Sequence, residues 1–114
     1  MKNCLLLLRS GAKFRSMRPH KDKILSILRE TTPVLLEKYG VTRIGIFGSV
    51  ARDDASEGSD VDIVYEMSRP NLFTVVHLKE ELESILHYSV DLVRYRERMN
   101  PLLKKRIEKE GVYA

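Results

Sequence analysis

Apolar residues recur along this chain with two different periods. From His20 to Tyr39, Ile24, Ile27, Leu28, Val34, Leu35 and Tyr39 return at three- and four-residue steps, with Lys21, Lys23, Arg29 and Glu30 between them, which predicts a helix with one face toward a core. Pro33 interrupts it. A proline lacks the N–H and crowds the preceding turn, so a kink is expected there, or a fresh start capped by Thr32; Gly40 is a natural terminator. Thr42 to Phe47 then reads as a first strand. After a polar, glycine-containing break, Asp60 to Met67 changes to a two-residue alternation. This places Asp60, Asp62 and Val64 on one face of a second strand and Val61, Ile63 and Tyr65 on the other.

Between the two strands, Val50 to Asp54 is expected to form a short helix, and Ala55 to Ser59 a loop reversed at Gly58. Ser68 to Asn71 reads as a turn, with Asn71 capping a helix that carries Leu72, Val75, Val76, Leu82, Ile85 and Leu86 inward. A third strand is expected over Val90 to Arg94. A last helix runs from Asn100 or Pro101 to Glu110, with Leu102, Leu103 and Ile107 as its apolar stripe and Gly111 at its end. Helices alternating with strands predict an α/β (α+β) layer fold, a small mixed sheet of three to four strands packed by helices.

The 114 residues leave room for one domain around a single core. Their composition, 43% hydrophobic and 32% charged, is that of a soluble globular chain. Cys4 is the only cysteine and has no partner for an internal disulfide, which fits a reducing, cytoplasmic setting. The apolar run Cys4 to Leu8 is too short for a signal peptide or a membrane span. Residues 1–16 therefore read as an N-terminal extension and 17–114 as the folded domain.

The net charge of +4 comes from Lys2, Arg9, Lys13 and Arg15, with no acid among the first sixteen residues. The remainder is formally neutral, so no direct nucleic-acid binding is expected. Arg94, Arg96, Arg98 and the run Lys104-Lys105-Arg106 read as a solvated helix face or a partner-binding surface. His20, His77 and His87 show no ligand-like grouping.

The chemistry concentrates in Ile44 to Tyr65. Two carboxylates on one face of a strand repel each other unless a cation sits between them, and Asp is a poor strand former. Mg²⁺ suits such a pair, because it takes one or two carboxylates together with phosphate oxygens. The Gly48-Ser49 turn supplies the complementary half: glycine lets a phosphate approach the backbone, and a helix starting at Ser49 aims free N–H groups at the anion. A Walker-type loop is not the explanation, since no Gly-Lys-Ser/Thr follows.

Gly48-Ser49, ten residues and then Asp60-x-Asp62 is similar to the signature of the DNA polymerase beta-like nucleotidyltransferase superfamily. Phe47-Gly-Ser-x-Ala-Arg52 with Ser59-Asp-x-Asp62 resembles its minimal, MNT-type branch, and Val90-Asp91-Leu92-Val93 resembles the strand that bears the third carboxylate. The resemblance covers roughly residues 18 to 114.

It implies Mg²⁺ held by Asp60, Asp62 and Asp91, with Asp91 also drawing the proton from the attacking hydroxyl. It implies ATP held at Gly48, Ser49 and Arg52, with Ser59 orienting the loop before Asp60. The branch commonly has Gly-Glu after the arginine, where this chain has Asp53-Asp54.

The implied activity is AMP transfer from ATP to a hydroxyl. MNT proteins of this size resemble the antitoxins of HEPN/MNT toxin–antitoxin pairs, so the implied acceptor is a tyrosine of a cognate HEPN toxin. Two alternatives stand beside it: a non-catalytic antitoxin that inhibits by covering its partner, and a small-molecule nucleotidyltransferase acting as a homo-oligomer.

Overall fold

The computed structural model describes residues 19–114; the expected extension over residues 1–16 lies outside them. The elements run α1 (Lys21–Tyr39), β1 (Val41–Phe47), α2 (Gly48–Ala51), β2 (Val61–Met67), α3 (Leu72–Leu86), β3 (Val90–Arg94), α4 (Pro101–Glu110) and β4 (Val112–Tyr113). The strands form one mixed sheet in the order β3-β2-β1-β4. β2 is parallel to β3 and antiparallel to β1, while β4 pairs antiparallel with β1. The parallel pair requires a crossover, which α3 supplies.

The alternation in β2 sorts the core. Val61, Ile63 and Tyr65 face Ile24, Leu25, Leu28 and Leu35 of α1 and Leu78, Leu82 and Leu86 of α3 in one large cluster. On the opposite face, Val64 and Phe47 pack with Ile107 of α4 in a smaller one. A central strand covered on both faces can be nearly all apolar. β2 departs from this at Asp62, its first residue on the small face, and near its end at Glu66, which pairs with Arg43.

Caps set the helix boundaries. The Asn71 side chain accepts from the Phe73 and Thr74 amides at 2.8 and 3.4 Å. The Asn100 side chain accepts from Leu102 and Leu103 at 2.9 and 3.3 Å, just ahead of Pro101. Both satisfy amides that a helix start leaves without partners.

Four expectations are corrected. α1 is continuous through Pro33: the proline and Arg29, whose carbonyl its missing N–H would have engaged, are exposed to water, and the core residues on either side hold the helix together. The short helix begins at Gly48, not Val50. β2 begins at Val61, leaving Asp60 just before it. Val34, Leu72, Val76 and Leu102 are solvent-exposed instead of inward, because each helix is wider in apolar residues than the face its neighbours cover.

β4 was not foreseen. Gly45 admits it: a Cβ at Gly45 would strike the Val112 carbonyl and approach the Tyr113 Cα to 2.8 Å. No helix of the described residues is long and apolar enough to cross a membrane.

Candidate nucleotide site

At the end of β1, Phe47 is extended and pairs with Asp62, and the chain then turns at Gly48 with a φ of +73°. That conformation favours glycine. The space does too, because a Cβ at Gly48 would run into the Asp62 carboxylate, whose Cγ stands 3.2 Å from the position that Cβ would take. The Gly48-Ser49 bend and the second aspartate of the pair are thus in direct contact. Val50 and Ala51 are buried behind the bend and anchor it.

The parallel register sets Asp91 beside Asp62, with Val93 beside Val64 on the same face. The ends of these strands are fastened: the Val61 amide donates to the Ser89 carbonyl at 2.8 Å, and the Val90 amide to a Glu83 carboxylate oxygen at 3.0 Å. Asp60 is exposed, one residue outside the strand.

Burial, then the neighbouring Asp91 charge, and more weakly Asp60, hold the Asp62 carboxyl above its ordinary pKa; Arg106 and Arg52 pull it back down. Among the described residues no ion pair or hydrogen bond engages the side chain of Asp60, Asp62 or Asp91. Elsewhere Lys38, Arg43, Arg52, Lys104 and Arg106 have all found carboxylates.

No group of three or more His, Cys, Asp or Glu among the described residues forms a closed metal-holding cluster. The donor chemistry nevertheless fits Mg²⁺, which is held by one or two carboxylates plus substrate phosphates and not by an all-protein cage. Asp62 and Asp91 supply that pair of hard oxygen donors, and Asp60 adds a third negative charge within reach of Asp62.

Arg52 does not point freely at the bend. It donates to both carboxylate oxygens of Glu110 at 3.0 and 3.1 Å and to Asp54 at 3.2 Å, tying α2 to the end of α4. Ser59 accepts from the Ser56 amide at 3.0 Å, closing the loop ahead of Asp60. Asp53 has a φ of +60°, the left-handed region that glycine enters most readily; Asp is among the few other residues that tolerate it.

Beside Asp60, and away from Gly48, opens a cleft of about 440 Å³ lined by Gly58, Ser59, Asp60, Glu83, His87, Tyr88 and Ser89. By sequence, Arg106 reads as part of a solvated or partner-binding basic face, and Glu110 is not singled out. They carry only an i, i+4 spacing on a charged helix, and it takes the docking of α4 on Phe47 to bring them to the site.

A glycine bend against paired carboxylates, on a four-stranded mixed sheet flanked by helices, defines a minimal nucleotidyltransferase. Residues 29–113 match the family described as polymerase beta, nucleotidyltransferase, and the chain belongs to that family.

A Methanocaldococcus jannaschii protein provisionally named a protein adenylyltransferase is 46% identical over 90 residues, 78% of this chain and 95% of that protein. The protein adenylyltransferase MntA of Thermococcus cleftensis is 39% identical over 94 residues, 82% of this chain and 94% of its own length.

Among solved structures, one provisionally described as a minimal nucleotidyltransferase superposes with a TM-score of 0.66 at 33% identity, covering 79% of this chain and 92% of the other. A toxin–antitoxin structure with AMP-PNP matches with a TM-score of 0.59 at 26% identity, covering 82% and 70%. So does a tri-AMPylated Shewanella oneidensis HEPN toxin in complex with its MNT antitoxin, with a TM-score of 0.52 at 26% identity, covering 82% and 67%.

Proposed function

We propose that this nucleotidyltransferase transfers AMP from Mg-ATP to a tyrosine hydroxyl of a HEPN toxin and thereby acts in the cytoplasm as the antitoxin of a pair. One observation carries the reading: Gly48 is packed on the Asp62 carboxylate and Asp91 stands beside it, with neither aspartate in an ion pair among the described residues. The relatives named as protein adenylyltransferases and the toxin–antitoxin complexes support the acceptor class.

Gly48 and Ser49 would present backbone amides, and Ser49 its hydroxyl, to the triphosphate. Asp60, Asp62 and Asp91 would hold Mg²⁺, which when bound supplies the positive charge that offsets the leaving pyrophosphate and acidifies the acceptor hydroxyl. The acceptor oxygen attacks the α-phosphorus, the bond from that phosphorus to the bridging oxygen breaks, and pyrophosphate departs. Asp91 would receive the hydroxyl proton. Arg52 would offset phosphate charge once released from Glu110, and Ser59 would keep Asp60 in place.

Leu72 and Phe73, 77% and 78% exposed at the start of α3, favour a second reading in which the protein inhibits its partner by covering it. The test mixes the protein with labelled ATP, Mg²⁺ and the product of the neighbouring gene. Label on a partner tyrosine, with loss of the partner's toxicity, is the expected result. Full inhibition without label would replace the enzyme by the covering protein, and label on a small molecule instead would point to an oligomeric small-molecule transferase.

A further inference from the structure

The basic face of α4 contains one residue whose position differs from its neighbours. Arg106 lies over Phe47, its guanidinium carbon 6.0 Å from the ring centroid, and Phe47 is both the residue before Gly48 and the strand partner of Asp62. Its Nε stands 3.6 Å from Glu110, an ion-pair distance too long for a hydrogen bond. The same Glu110 carboxylate already accepts two hydrogen bonds from Arg52, at 3.0 and 3.1 Å. One carboxylate is thus shared by two guanidinium groups that reach it from α2 and α4. Arg52 has a second carboxylate in Asp54, at 3.2 Å, whereas Glu110 is the one carboxylate in ion-pair reach of Arg106, which makes no hydrogen bond of its own among the described residues.

Two guanidiniums that converge on the Glu110 carboxylate have the geometry of a phosphate site in waiting, because that carboxylate occupies the place of an anion with the same forked acceptor pattern. Arg106 is 53% exposed, so it can leave Glu110 without disturbing the core, whereas Ile107 beside it is buried and fixes the helix. The Asp62 carboxyl feels both arginines, Arg106 more strongly than Arg52, which agrees with a location at the mouth of the bend.

Resting on the nucleotide site described above, we infer that Arg106 is a second phosphate-binding arginine, kept ready together with Arg52 by Glu110 and directed at the β- and γ-phosphates of the bound nucleotide. α4 is thereby part of the substrate site and not only its scaffold. Lys104 and Lys105 do not share this role: Lys104 is turned toward Glu97 and the Tyr95 ring, and Lys105 is exposed, with no ion pair or ring contact among the described residues.

The test measures equilibrium binding without turnover, using AMP-PNP with Mg²⁺ and, separately, AMP, on the full chain as wild type, Arg106→Gln, Arg106→Lys and Lys105→Gln. Arg106→Gln should weaken AMP-PNP about tenfold or more and leave AMP within about twofold. Arg106→Lys should recover part of the loss, and Lys105→Gln should match wild type. The nucleotide-free melting temperature of Arg106→Gln should stay near that of wild type.

Equal weakening of AMP and AMP-PNP, or a large fall in melting temperature, would assign Arg106 a structural role and overturn the inference. Wild-type binding of AMP-PNP with no change in Arg106→Gln overturns it alone. Failure of wild type to bind AMP-PNP removes the nucleotide site itself, and this inference with it.

Discussion

Replacing Gly48 by alanine probes the contact on which the site depends. Two costs are separable. At a φ of +73° an L-residue in the left-handed region costs about 1–2 kcal/mol. The new methyl also meets the Asp62 carboxylate, and forcing an atom into filled space costs a further 1–3 kcal/mol or so. Loss of glycine's freedom in the unfolded chain returns about 0.4–1 kcal/mol. A net destabilisation of about 2 kcal/mol follows, which lowers the melting temperature of a domain this size by roughly 10 °C.

The steric part acts by pushing Asp62, so AMP transfer should fall about 100-fold or more, as expected when a reacting group shifts by near an ångström. A double-mutant cycle isolates the contact. In an Asp62→Ala background the carboxylate is gone, and Gly48→Ala should cost only its backbone part, a coupling of about 1 kcal/mol or more. Thermal or urea unfolding of the four proteins reads this directly. An additive cycle would show that the two residues do not touch, and with that the packing of the bend on the aspartate would be refuted.

Asp60→Ala combined with Asp62→Ala should abolish nucleotide transfer while circular dichroism stays as in wild type and melting at neutral pH is no lower, since neither side chain belongs to the core. Chelation of divalent metal should stop transfer, and Mg²⁺ should restore it. For Asp62 the pKa is raised in the folded state, so its ionised form opposes folding: this group's contribution is fully favourable below the unfolded carboxylate range and is lost as pH rises through the raised folded value. Asp62→Asn should accordingly stabilise the metal-free protein at neutral pH, with the advantage over wild type vanishing in acid; equal melting of the two proteins across pH 4 to 8 would disprove it. Asn71→Ala should cost about 1 kcal/mol in urea unfolding through the lost cap on α3.

Short-range rules read much of this chain. The caps at Asn71 and Asn100, the strand Val90–Arg94 and the alternation of β2 all lie where local pattern places them, because capping and strand periodicity depend on residues within a few positions of one another. Pro33 shows where such rules lose: its local cost is real, but Leu28 and Leu35 on either side are buried, and their packing outweighs it. The exposed Leu72, Val76 and Leu102 fail for a related reason. Helical periodicity gives the direction of an apolar face but not how much of that face a neighbour covers.

The spacing of Gly48-Ser49, Asp60, Asp62 and Asp91 is enough by itself to point to the family and the type of chemistry, since a phosphate-approaching glycine and hard oxygen donors are properties of the residues themselves. Only the tertiary structure decided that Gly48 lies against Asp62, that Asp91 stands in register beside it, and that Glu110 gathers Arg52 and Arg106 at the same place. Those contacts join residues far apart in the chain through strand pairing and helix docking, and no local pattern encodes the distance between two segments that meet only when the core closes.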